Sequence, residues 1–157
     1  MRTKHSAQAI LVLAILAACG TTQDAAKDSA SAMMPAPAAT AAPTIADFVG
    51  TWQMTSTLTG VAKPVSSTLT SSADGTTWTM SPEGRPDVAV QTSIIGDSLI
   101  GQSAEYESVL RKGVMVTVRT ASVLSNGMLS GNMVATYKTP KGEEKVTGTV
   151  TATRVPK

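Results

Sequence analysis

From Phe48 onward apolar and polar residues alternate with period two. In Trp52-Gln53-Met54-Thr55-Ser56-Thr57-Leu58-Thr59 the even positions are mostly apolar and the odd ones are Gln and Thr. Successive side chains of a strand point to opposite faces, so this is the pattern of a half-buried strand. Thr and Val recur throughout, and no stretch carries the apolar stripe of an amphipathic helix. Turn signals punctuate the alternation at Asp74-Gly75, Gly96-Asp97, Lys112-Gly113, Asn126-Gly127 and Lys141-Gly142. They divide the region into eight strands, roughly 49–59, 65–72, 76–82, 87–95, 98–110, 114–124, 128–138 and 144–155.

Loop length fixes hairpin register, and register decides which side chains share a face. A two-residue turn at Asn126-Gly127 sets Leu124 opposite Leu129, Ser122 opposite Gly131, Thr120 opposite Met133, Val118 opposite Ala135 and Val116 opposite Tyr137. A three-residue loop at 111–113 would set Tyr106 opposite Val118, Ala104 opposite Thr120 and Ile100 opposite Leu124. Both hairpins give strand 114–124 the same apolar, even-numbered face. Asp74-Gly75 sets Leu69 opposite Met80 and Ser71 opposite Trp78. A four-residue loop at 139–142 sets Ala135 opposite Val146 and Met133 opposite Gly148. At Gly96-Asp97, Ile94 and Ile95 compete for the inner face and the pattern does not choose. Eight sequential antiparallel strands close into an up-and-down barrel, which removes exposed sheet edges; a two-sheet β-sandwich is the alternative.

Before this region the chain changes character. Residues 20–46 are rich in Ala, Ser, Thr and Pro, and Pro35, Pro37 and Pro43 interrupt any helix. Residues 19–46 read as a disordered tether, and residues 47–157 as one small domain. The N-terminus has a basic start (Arg2, Lys4, His5), a short apolar run from Ile10 to Leu16 and small residues after it. Those are the three parts of a secretory signal peptide over residues 1–18. Leu16-Ala17-Ala18-Cys19 resembles the lipobox of bacterial lipoproteins. That resemblance implies lipidation of Cys19, the only cysteine, and hence anchoring in a membrane. Gly20 rather than Asp follows the cysteine, which by the same resemblance implies the outer membrane of the cell envelope.

Charge narrows the function classes. The chain holds 13 Lys and Arg and 11 Asp and Glu; removal of Arg2 and Lys4 with the leader leaves 11 of each. No basic patch remains to argue for nucleic acid. The single histidine, His5, lies in the leader, so the domain lacks the histidine of a Ser-His-Asp triad and of the usual zinc sites. No phosphate loop, metal spacing or cofactor motif is present, and the expectation is a protein that is not an enzyme and holds no cofactor. The loop register above would make Glu105 and Arg119 cross-strand neighbours on the outer face, a solvated pair.

Gly50-Thr51-Trp52 on the first strand and Arg154 on the last resemble the paired marks of the lipocalin and avidin-like barrels. The resemblance implies that Arg154 packs over the Trp52 indole and closes one end of the barrel. A barrel of this size either fills with side chains or holds one small ligand, and an apolar interior with a few hydroxyls would suit a fatty-acid-like, isoprenoid or similar hydrophobic molecule. Parity places Trp78, Tyr106, Val118, Met133 and Tyr137 on the inner face, where they are the candidate ligand-lining residues. Small inward residues such as Ser56, Ser67, Gly131 and Ala135 leave room for a ligand, whereas Met54, Met80 and Met133 could fill it. Two roles remain open: a carrier of a small hydrophobic molecule, or a filled barrel that docks another envelope protein.

Overall fold

The computed structural model describes residues 41–156. The leader, Cys19 and most of the tether lie outside the described residues. A short helix, α1 (Ile45–Phe48), precedes nine strands: β1 (Thr51–Leu58), β2 (Val65–Ser71), β3 (Trp78–Pro82), β4 (Val88–Ile95), β5 (Ser98–Ser103), β6 (Tyr106–Glu107), β7 (Met115–Ser125), β8 (Met128–Thr139) and β9 (Gly142–Arg154). All pairings are antiparallel. The sheet runs β5-β4-β3-β2-β1-β9-β8-β7-β6, and an additional β5–β7 pairing closes it. The result is an eight-stranded barrel, with β6 as a two-residue extra strand on β7. Closure through β1–β9 and β5–β7 rules out the two-sheet sandwich.

The alternation places its apolar half inside. Along β1, Trp52, Met54, Ser56 and Leu58 are buried and Gln53, Thr55 and Thr57 exposed. The hairpin registers at Asn126-Gly127 and Asp74-Gly75 are those the turn chemistry dictates. Asn126 adopts φ 51° and Gly127 φ 76°, the left-handed pair that a two-residue turn of this hand requires. The β8–β9 register also matches, but the loop is shorter than its sequence suggests. Thr139 pairs with Gly142, so only Pro140 and Lys141 lie at the tip.

The fifth strand departs from the expected pattern. The segment 98–110 is not one strand, because Ala104 and Glu105 interrupt it. β6 sets Tyr106 against Val116, two residues from the expected partner, so Tyr106 keeps its inward face. β5 sets Gly101 against Thr120 and Ile100 against Ala121. This odd-numbered slip turns Leu99, Gly101 and Ser103 inward and leaves Ile100 half-buried. Ala104 is exposed, not interior. Arg119 faces Gln102, and Glu105 pairs with Lys138 instead of Arg119. The Gly96-Asp97 turn pairs Ile94 with Leu99; Ile94 packs on the core and Ile95 is 61% exposed.

The barrel has two unlike ends. One holds α1, the chain's end and the turns 72–77, 96–97 and 126–127. Its core gathers Phe48, Trp52, Leu69, Trp78, Leu99 and Val150. Ile45 and Phe48 belong to this core although the Ala- and Pro-rich sequence around Ile45 reads as tether. Asp47 fixes the helix start: its carboxylate accepts from the Thr44 backbone N–H at 2.7 Å and the Thr44 hydroxyl at 3.0 Å. The other end holds the loops 59–64 and 83–87, the segment 104–114 and the tip 140–141. Beneath them sits a second core of Leu58, Val116, Met133, Ala135 and Tyr137.

Candidate functional site

At the first end, Trp52 and Arg154 are direct cross-strand partners. The guanidinium lies 4.2 Å from the indole centroid. Trp52 is fully buried, and its Nε1–H donates to the Phe48 carbonyl at 2.7 Å. Arg154 is exposed on its outer side rather than buried, so water solvates part of its charge. Its remaining donors reach the Val49 carbonyl and, at 2.8 Å, the Asp47 carbonyl. Backbone carbonyls therefore supply the acceptors that a cation over an indole needs. The glycine of Gly50-Thr51-Trp52 has a steric cause: a Cβ on Gly50 would lie 2.6 Å from the Arg154 guanidinium, and its φ is +140°.

At the opposite end, an internal cavity of about 50 Å³ lies under the segment 104–114. Tyr106, Val118, Met133 and Tyr137 line it together, brought there by β6, β7 and β8. Trp78 does not. It sits in the core of the closed end, 3% exposed, with its Nε1–H donated to the Gly75 carbonyl at 2.9 Å. Inner-face parity identified the correct side of the sheet but not the height along the barrel. The cavity is also lined by Met54, Met80 and the hydroxyl-bearing Ser56, Ser67, Ser108 and Thr120. Val109 and Leu110 cover it from the segment above. Sequence reasoning missed these two, because they follow the break at 104–105 that it did not detect. A second void of about 30 Å³ shares Met54, Met80, Val118 and Thr120 with the first.

The covering segment is a strap tied by polar contacts. Arg85 forms an ion pair with Glu107 at 3.2 Å and donates to the Ser108 carbonyl at 2.8 Å. Glu107 also accepts the Gly113 backbone N–H at 2.9 Å; that bond, followed by the Arg85 charge, holds its carboxyl below the usual range. Ser108 is 2% exposed, and its hydroxyl accepts the N–H groups of Leu110 and Arg111. Arg111 grips Glu144 with two hydrogen bonds of 2.7 and 2.8 Å and lies 4.2 Å over the Tyr137 ring. The hydrogen bonds to Glu144 push the Arg111 pKa up further and that of Glu144 down. Burial, assisted by neighbouring Tyr137, pushes the Tyr106 phenol up to about 12, so it remains neutral at physiological pH.

The site is thus an apolar chamber with several neutral hydroxyls, covered in part by the strap. Among the described residues, its lining includes no carboxylate pair and no nucleophile–base pair. No protein-family model matches the chain, and comparison with curated proteins and with solved structures returned no similar protein.

Proposed function

We propose that this chain is a lipid-anchored protein of the bacterial envelope whose barrel takes up a small hydrophobic molecule beneath the strap 104–114. The observation that carries the binding reading is the cavity itself. It is apolar, lies directly beneath a cover tied mainly by polar contacts, and shares two methionines with the void below it. Methionine side chains turn about three bonds and repack readily, so Met54 and Met80, which line both voids, can move to make room for a ligand. The likeness of Gly50-Thr51-Trp52 and Arg154 to the lipocalin and avidin-like barrels points the same way. Anchoring rests on the likeness of Leu16-Ala17-Ala18-Cys19 to a lipobox. Its test is metabolic labelling with palmitate, which should be lost in Cys19→Ser.

One observation favours a second reading. About 50 Å³ is well below the roughly 300–1,000 Å³ of an ordinary ligand pocket. A filled barrel whose outer face docks another envelope protein would need no more room. Native mass spectrometry of the protein purified from its own host separates the two readings. A retained small-molecule mass, lost in Tyr106→Ala with the barrel still folded, supports binding. A bare barrel with a stoichiometric protein partner supports the docking role.

A further inference from the structure

Resting on the binding reading above, we propose that the molecule this chamber accepts is electrically neutral, an amphiphile with a hydroxyl or carbonyl head, and that carboxylates and ammonium compounds are excluded. The residues around the cavity are apolar, or carry hydroxyls, and include no Lys, Arg, Asp or Glu. The phenol of Tyr106 stays protonated far above neutral pH.

Three cations beside the chamber, Arg85, Arg111 and Lys138, are already engaged. Arg85 is held by Glu107 and the Ser108 carbonyl. Arg111 is held by both oxygens of Glu144 and by the Tyr137 ring. Lys138 is held by Glu105. Lys63, Lys112, Lys141 and Lys145 are exposed and take no part in the lining. Of the acidic groups at this end, Glu105, Glu107 and Glu144 each face a cation, Asp87 accepts from the Ser81 hydroxyl, and Glu83 and Glu143 are exposed and take no part in the lining. The free charges at this end are thus exposed to solvent, and neither sign lines the chamber that a ligand head would enter.

An ionised carboxylate inside would lose its hydration with no cation to replace it. A neutral hydroxyl or carbonyl loses far less and is satisfied by one hydrogen bond from a serine, threonine or tyrosine hydroxyl. The same chamber thus discriminates by charge more than by shape.

The experiment compares decanol, decanoate and decylammonium at about pH 8, where the acid and the amine are both ionised. Binding is read from the methyl NMR signals of Met54, Met80 and Met133 in the full chain as isolated from cells. Decanol should shift these signals with an affinity at least roughly tenfold above either ion. Decanoate should approach decanol as the pH falls through its own pKa. Leu110→Arg, which adds an uncommitted cation to the cavity lining, should raise the ratio of decanoate to decanol affinity at about pH 8. Equal binding of decanoate and decanol at about pH 8 would overturn the neutral-ligand assignment alone. No methyl shift with any of the three compounds would overturn the binding reading and this assignment with it.

Discussion

Arg154 illustrates how a single side chain closes a barrel end. It joins the indole of β1 to the carbonyls of Asp47 in α1 and Val49 just after it, so three parts of the chain meet at one guanidinium. Its outer side is solvated, so each contact is weaker than in a fully buried site. Arg154→Met should keep the hydrophobic stem but lose the donors, at a cost of about 1–2 kcal/mol by urea denaturation. Arg154→Lys should recover only part of this, because an ammonium lacks the planar fork that reaches both carbonyls. An unchanged midpoint in both variants would contradict the assignment. Asp74 plays the comparable part in the β2–β3 turn. One carboxylate oxygen accepts from the Ser72 hydroxyl at 2.5 Å, the Thr76 N–H at 3.1 Å and the Thr76 hydroxyl at 2.9 Å. The Ser72 bond, followed by those from Thr76, lowers its pKa from 3.8 to about 2. A depressed folded-state value means that the stabilisation is present above 3.8 and is lost as pH falls through about 2. Carboxyl NMR should therefore show Asp74 titrating near 2, and Asp74→Asn should flatten the stability profile across that window. A titration at the ordinary carboxylate value would show that the turn does not hold the charge.

At the scale of the strands, two glycines mark where neighbouring backbones come too close for any side chain. A Cβ on Gly131 would collide with the Ala121 carbonyl oxygen and lie 2.7 Å from the Ser122 Cα; one on Gly148 would collide with the Thr57 carbonyl oxygen. Both obstacles are backbone and cannot rotate away. Gly131→Ala should therefore destabilise the barrel by about 1–3 kcal/mol, although alanine normally favours a strand over glycine. A neutral or stabilising result by thermal unfolding would refute the crowding. The β3–β4 seam is the weak part of the wall. Only residues 78–80 pair with 88–90, while β4 continues to Ile95. The Ala104 N–H donates to the Ala89 carbonyl, so odd residues of β4 bond towards β5 and even residues face β3. Beyond Val90 this leaves the Thr92 and Ile94 amides turned to an open edge. Their hydrogen exchange should be fast beside that of Gln91 and Ser93, and protection of Thr92 and Ile94 equal to theirs would show the seam closed. Most of the ladder was legible in the sequence because short turns with glycine fix parity and register together. The break at 104–105 was not, for no glycine or proline marks it. Leu99-Ile100, like Ile94-Ile95, offers an apolar residue to either face, so alternation could not detect the slip. Four of the five candidate lining residues share the cavity. Parity selects a face, and Trp78 shows that it does not select a height.

The whole molecule is built asymmetrically, and the asymmetry sets where it can open. The closed end is sealed by Phe48, Trp52 and Trp78, all nearly or fully buried, whose burial is large and insensitive to salt. The covered end is held by the Arg85–Glu107, Arg111–Glu144 and Lys138–Glu105 pairs, whose side chains are one quarter to more than one half exposed. Exposed pairs contribute little each and are screened by salt. The strap should consequently open by itself, well below the free energy of global unfolding. Amide exchange reports this directly, since Gly113 donates to Glu107 and Leu110 to Ser108, both within the strap. These two amides should exchange faster as salt is raised, whereas those of Trp52 and Met54 should exchange only with global unfolding. Arg85→Ala removes the tie from the 83–87 loop and should accelerate Leu110 and Gly113 by about tenfold, with the denaturation midpoint nearly unchanged. If Arg85→Ala instead lowers the midpoint and leaves the strap amides at the global rate, the strap is part of the barrel's cooperative core. A ligand could then reach the cavity only when the whole barrel opens, and uptake would be as slow as unfolding.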